Sequence, residues 1–321
     1  MTSSPIRTDL YLRVLYRHPV LERVLLFGVT KAASLARVTI AYVAALAVAA
    51  AWLAWGPETR WLWLDTLIAD VLATLVIFGF SRAYHNSSFY DAYWSVVPPA
   101  IAIFWWGSSD LPADDVRARL AVGVMMLWAI RLTGNWVYGW PGLHHEDWRY
   151  PMLRDGAGRY ELVVDFFAIH LFPTLQVFLG TVPLYVVLTA SGRDVGWLDG
   201  IATLVGCGAV VVEFVADLQL HRFVKQRRPG QVMDHGLWSW SRHPNYFGEI
   251  SFWVSLALFG VAASPHDAWW LFAGSAAMVA MFLGASIPMM EKRSLERRPS
   301  YQHVIDRVSV LVPRPPRKVA A

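Results

Sequence analysis

The chain has 321 residues, of which 56% are hydrophobic and only 16% charged, with 17 tryptophans and a formal net charge of +4. A water-soluble domain carries about 25% charged residues, so this composition excludes an ordinary soluble enzyme and points to an integral membrane protein with no nucleic-acid partner. One cysteine, Cys207, sits in an apolar run, which excludes a disulfide framework and a thiol pair for a metal.

The first 30 residues are basic and interrupted by Pro5 and Pro19. They lack a small-residue cleavage site and are expected to lie at the interface, those before Val20 as a surface helix, rather than to form a signal peptide. From there, apolar windows recur that are long enough to cross hydrocarbon, about eight in all, with seven to nine as the range. They run near Val38 to Trp55, Trp61 to Phe80, Tyr93 to Trp106, Ala118 to Tyr138, Glu161 to Thr189, Trp197 to Phe223, Tyr246 to Ala263 and Ala268 to Met290. The third is short and holds Pro98-Pro99, so a kinked, tilted or re-entrant course is expected there. The predicted fold is an all-α polytopic bundle forming one membrane domain over residues 31–313, whose half from about 140 onward carries the polar motifs. Residues 314–321 are expected to form a basic, disordered tail.

Cations fall in alternate loops, one set rich in Arg and Lys, the other holding only Arg60, Arg117, Arg119 and Arg193 beside acids. By the positive-inside rule the rich set is cytoplasmic, and an even number of crossings leaves both termini there. The dominance of Arg over Lys fits a GC-rich bacterial genome, hence an expected location in the inner membrane.

Ionisable groups within spans are costly and commonly functional. In "EFVADLQLHRF", Glu213, Asp217 and His221 recur at four-residue spacing and stack on one helix face. Either Arg242 or Lys225 neutralises them structurally, or they bind the ribose or amide of a cofactor. After the cationic "KQRRPG" comes "HGLWSWSRHPNYFGE", where Pro244 suits a first helical turn. Free backbone donors there, with Asn245, Arg242 and the aromatic Trp238, Trp240 and Tyr246, suit an anion and a flat ring. In "HHEDWRY", adjacent side chains seldom converge on one ion, so no metal is expected. Arg149 is expected to pair with a phosphate or with the carboxylates of the sixth span.

Taken in order, "EDWRY", Gln176, "EFVADLQ", "GLWSWSRHPNYFGE" and "PMMEKRSLERRPSYQHV" up to Pro313 resemble the steroid 5-alpha-reductase superfamily, in its bacterial branch of unknown function. Sterol reductases and isoprenylcysteine carboxyl methyltransferases are the wider relatives, and the resemblance covers roughly residues 85–313. It implies NADPH held by Asp217, Lys225, Asn245 and Glu249, with Arg242, His243 and Tyr246 nearby. Glu213 stands where the steroid reductases carry Asn. Within "YDAYWSVVPPA", Asp91 matches the Glu of their catalytic Gln-Glu pair and Tyr90 matches the Gln. Their carbonyl-polarising Tyr is matched by Trp128, three residues ahead of Arg131, and an indole has only a donor N–H.

The resemblance therefore implies hydride transfer to an activated C=C bond of a lipophilic, steroid-like or isoprenoid substrate that diffuses in from the bilayer. A hydrogen-bond donor system of Asp91 with Tyr90 or Tyr93 stabilises the enolate. The alternative for Asp91 is a helix-start residue at the membrane surface. Two other functions compete: methyl transfer from S-adenosylmethionine, since the methyltransferases share the Arg-His-Pro and Tyr, and non-catalytic lipid binding. A transporter is disfavoured by the lack of an internal repeat. The charged "EKRSLERRPSYQHVIDRVS" is expected along the interface, with Tyr301 capping the fold.

Overall fold

The computed structural model describes residues 30–189 and 193–317. The surface helix expected before Val20 lies outside these residues. Among the described residues there is no strand, and eight helical traverses run in alternating directions. They are α1 (Lys31–Trp55), α2 (Leu62–Ala83), α3 (Tyr93–Gly107), α4 (Val116–Gly139), α5 (Arg149–Thr189), α6 (Trp197–Gln226), α7 (Pro244–Ala263) and α8 (Pro265–Arg297). Seven are long and apolar enough to cross a membrane, and α3, at 15 residues, is the exception. The chain is a polytopic helical membrane protein.

Local chemistry sets where the helices begin. Thr30 accepts from the Ala33 amide at 3.2 Å and Asp115 from the Ala118 amide at 2.8 Å, each satisfying a donor that a first turn leaves open. Pro244 occupies the first turn of α7 and Asp199 reaches back to the Gly196 amide at 2.8 Å at the start of α6. Pro98 and Pro99 sit inside α3, which remains helical and is short for a different reason. A buried 3-10 turn, Ser87–Tyr90, has already carried the chain into the bundle before α3 begins.

Within α5 the run Asp165–Leu171 is a π-helix, a widened turn that brings the buried Asp165 and His170 inward together. Close approach elsewhere rests on glycine. A Cβ on Gly274 would lie 2.5 Å from Gly180 Cα, so α5 and α8 touch backbone to backbone. A Cβ on Gly248 would meet Glu213 Cγ at 2.4 Å, so α7 can seat that carboxylate only because this position is bare.

The two ends of the bundle differ in charge. At one, Arg82 binds Glu161 at 2.6 Å and Asp165 at 2.9 Å, Arg154 grips Glu146 at 2.6 Å, and Lys31 reaches the Tyr138 carbonyl at 3.1 Å. The start of α1 and the end of α8 both lie on this basic face. At the other, Arg117 closes on Asp199 at 2.7 Å and on the carbonyls of Arg193 and Asp194. Of the tail, residues 314–317 are tied down rather than loose: the Arg314 amide donates to the Trp240 carbonyl and that of Arg317 to Arg307, both at 2.9 Å.

Candidate functional site

At the level of α4, α6 and α7 a buried arginine, Arg131, gathers three carboxylates. It pairs with Glu213, with Asp217 at 2.9 Å and with Glu249 at 3.8 Å. Asn135 adds a hydrogen bond to Asp217 at 3.0 Å, and the Asn245 side chain donates to the same carboxylate. Glu249 is fixed from two sides by indoles, Trp128 at 3.0 Å and Trp253 at 2.9 Å. Burying charge without matching partners is expensive. Here three carboxylates share one guanidinium, while Arg131 Nε and Glu213 Oε1 are buried with no hydrogen-bond partner.

Four of the residues expected to hold a cofactor thus come together: Glu213, Asp217, Asn245 and Glu249. The cation that meets them is Arg131, not Arg242 or Lys225. Lys225 is exposed and donates to the Tyr138 hydroxyl at 2.7 Å, two turns of α6 beyond Asp217. Arg242 is turned away into a clamp, binding Glu291 at 2.6 Å and the carbonyls of Ile305 and Val308 at 3.0 and 2.7 Å. His243 joins it on Glu291 at 3.1 Å. Both close the C-terminal segment onto α7 and α8, so the anion pocket expected from Arg242 is not formed. Tyr246 stacks between His243 and Phe282, at ring distances of 5.3 and 4.4 Å.

Arg149 pairs with its neighbour Asp147 at 2.8 Å instead of reaching α6. Burial pushes the Asp147 carboxyl up, and the hydrogen bonds from Arg149 more than offset it, leaving it below its ordinary value. Tyr246 lies within electrostatic reach of Arg149, Asp147 and Asp217, so this loop forms the rim of the carboxylate cluster.

The expected catalytic trio is divided. Asp91 accepts from Tyr150 at 2.6 Å and from the Trp136 indole at 3.4 Å, on the side of the rim. Burial pushes its carboxyl up to about 6, with the Tyr150 hydrogen bond working the other way. Tyr90 and Tyr93 point elsewhere, to Thr174 at 2.8 Å and to Asp70 at 3.1 Å. They do not form a donor system with Asp91, because in a 3-10 turn successive side chains are rotated by about 120°. Tyr150, at the end of "EDWRY", makes the shorter of the two hydrogen bonds that Tyr150 and Trp136 donate to Asp91.

Between α1, α2 and α3 lies an apolar cavity of about 300 Å³. Leu46, Leu53, Ala69, Ile101 and Phe104 line it, lipid-facing Ala50 and Ala54 flank it, and its polar end is made by Thr66 and Asp70. Asp70 was legible as a lone acid in the middle of a span and is a functional candidate on that ground. Two indoles separate this region from the carboxylate cluster: Trp94, which lines a small void bordered by Asp70, meets Trp128 edge-on at 5.9 Å, and Trp128 stacks on Phe252 at 4.5 Å.

The family model described as "Protein of unknown function (DUF1295)" matches residues 77–308. Over 272 residues, 77% of this chain and 78% of the other, the sequence is 28% identical to "Uncharacterized protein C594.04c" of Schizosaccharomyces pombe. No solved structure matches it significantly. The matched region begins within α2 and runs through the carboxylate cluster, the rim and the clamp into the C-terminal segment, so the chain belongs to the DUF1295 family.

Proposed function

We propose that the protein is an NADPH-dependent membrane oxidoreductase that reduces an activated C=C bond of a lipophilic substrate. The observation that carries this reading is the carboxylate-rich cluster around Arg131, with two buried polar atoms left open at its centre. An excess of acceptors around one guanidinium suits a ligand rich in hydroxyl and amide donors, as the ribose and carboxamide ends of a dinucleotide are. The residues present fit such a group: Glu213, Asp217, Asn245 and Glu249 would hold it, with Tyr246 and Arg149 at the rim. NADPH, when bound, supplies the hydride. The likeness to steroid 5-alpha-reductases supports the same assignment, and the basic face is then cytoplasmic by the positive-inside rule.

The chain's own residues have the remaining tasks. The Asp91–Tyr150 pair at the rim offers a hydrogen-bond donor to an oxyanion developing on the substrate. The apolar cavity between α1, α2 and α3 suits a substrate arriving sideways from lipid. Its small-residue wall leaves room for a rigid, flat body.

Thermal unfolding of the purified chain with NADPH, NADH or S-adenosylmethionine tests the reading. A hundredfold excess of a ligand over its dissociation constant adds about 2.7 kcal/mol, which is readable as a shift in midpoint. Stabilisation by NADPH supports reduction. Stabilisation by S-adenosylmethionine alone would turn the protein into a methyltransferase.

A further inference from the structure

Outside the cofactor region the molecule buries a second polar assembly with no obvious structural need. Asp70, Thr74, Tyr90, Tyr93 and Thr174 come from α2, α3, α5 and the 3-10 turn, and all are at most 5% exposed. Their oxygens form one continuous line. Tyr90 Oη meets Thr174 Oγ1 at 2.8 Å, Thr174 Oγ1 meets Thr74 Oγ1 at 2.9 Å, the Thr74 hydroxyl bonds Tyr93 Oη, and Tyr93 Oη reaches Asp70 Oδ1 at 3.1 Å. Every interior member of this line is a hydroxyl, which can donate and accept at once. Thr174 Oγ1 also lies 2.9 Å from the His170 carbonyl of its own helix, so its one proton has two acceptors, and when it turns to Thr74 the line runs head to tail, each group donating toward Asp70.

Its two ends differ. Asp70 has no ion-pair partner among the described residues and borders the lipid-facing cavity, of which it is the acidic end. Tyr90 lies on the side of the basic face, its ring edge-on to His170 at 5.3 Å, and His170 Nε2 bonds Ser81 at 3.0 Å. A void of about 10 Å³, room for one water, adjoins Asp70, Tyr90, Tyr93 and Thr174. Apolar side chains of the same shape would pack α2, α3 and α5 equally well without the cost of burying five polar groups. The arrangement has the form of a path, not of a clasp.

We propose that Asp70 is a proton-exchanging acid serving a lipophilic hydrogen-bond acceptor in the cavity, recharged through the hydroxyl relay Tyr90–Thr174–Thr74–Tyr93. When the Asp70 carboxyl gives its proton to the acceptor, the Tyr93 O–H proton passes to the carboxylate. Thr74 restores Tyr93, Thr174 restores Thr74 and Tyr90 restores Thr174. One proton, drawn ultimately from water at the Tyr90 end, has then moved by one place along each bond, and no electron is transferred. The proposal uses no nucleotide, so it can fail while the redox reading stands, and the reverse.

Infrared spectroscopy of the full chain in lipid nanodiscs tests it without a ligand. A carboxylic C=O band that disappears in Asp70→Asn identifies the group, and its shift after transfer to heavy water times the exchange. Thr174→Val is expected to slow that exchange by about tenfold or more, the factor set by one lost hydrogen bond. Tyr90→Phe, which keeps the ring, is expected to slow it likewise. Thr181→Val is the control: Thr181 borders the same void, but its hydrogen bond, to the Val177 carbonyl at 2.9 Å, joins it to no hydroxyl of the relay, so exchange keeps its wild-type rate. The proposal is overturned if no carboxylic band depends on Asp70, if Thr174→Val and Tyr90→Phe exchange as fast as wild type, or if Thr181→Val slows exchange as much as they do.

Discussion

The Tyr150 hydroxyl donates to Asp91 Oδ1 at 2.6 Å, joining a residue of the α2–α3 connection to the first turn of α5. Hydrogen bonds to ionised oxygens are commonly this short, yet burial has already raised the Asp91 carboxyl to about 6. The folded state therefore binds its proton more tightly than the unfolded chain. Between roughly pH 4 and pH 6 the unfolded chain holds fewer protons, so the stability contributed by this group falls as pH rises through that window. Asp91→Asn, which carries no titrating proton, is expected to gain on wild type by roughly 2 kcal/mol over the same range. Thermal unfolding of the two proteins at pH 4 and pH 7 measures the difference, and a constant gap at both values would contradict the assignment.

Arg131 is the sole cation paired with three carboxylates among the described residues, so its removal leaves uncompensated buried charge. Arg131→Met is expected to cost about 3–5 kcal/mol, or to prevent recovery of folded protein. Glu213→Gln in the same background should restore part of that loss, since it removes one of the stranded charges. Unfolding midpoints of the single and double variants in one detergent supply the comparison.

Nucleotide affinity should follow the cluster and not the clamp. Asn245→Ala and Asp217→Asn are expected to lower NADPH affinity at least about tenfold, the weight of one lost polar contact. Arg242→Ala is expected to leave affinity nearly unchanged. Titration of each variant with NADPH decides; equal losses at Arg242 and Asn245 would move the site to the clamp.

Arg242 instead holds the C-terminal segment through Glu291 and the carbonyls of Ile305 and Val308. Arg242→Ala is expected to release residues 299–317, seen as faster proteolysis there with the helical content retained. Unaltered cleavage would show that Ser241, which donates to the Leu311 carbonyl at 2.7 Å, suffices.

Gly248→Ala places a methyl group against Glu213 Cγ, where nothing can yield without moving a charged group off Arg131. A loss of about 1–3 kcal/mol is expected, as for other overpacked cores. Gly200→Ala, where a Cβ meets nothing within 4 Å, is the matched control in the same kind of measurement and should be neutral or slightly stabilising.

The sequence by itself determined the solvent and the all-helical class. About eight apolar windows suffice, because a backbone in hydrocarbon must be helical and a helix has a fixed rise per residue. It also determined that Glu213 and Asp217 share a face, since that follows from helical spacing within one element. What it left open was every pairing between elements. That Arg131 meets those carboxylates, 86 residues away from Asp217 in the chain, is set by how α4 lies against α6 and α7. Likewise Asp91 and Tyr90 are neighbours in sequence but face different chemistry, because the 3-10 turn before α3 rotates one toward Tyr150 and the other toward Thr174. Side-chain direction at such a turn depends on about 20° more rotation per residue than in an α-helix, and only the packed bundle selects it.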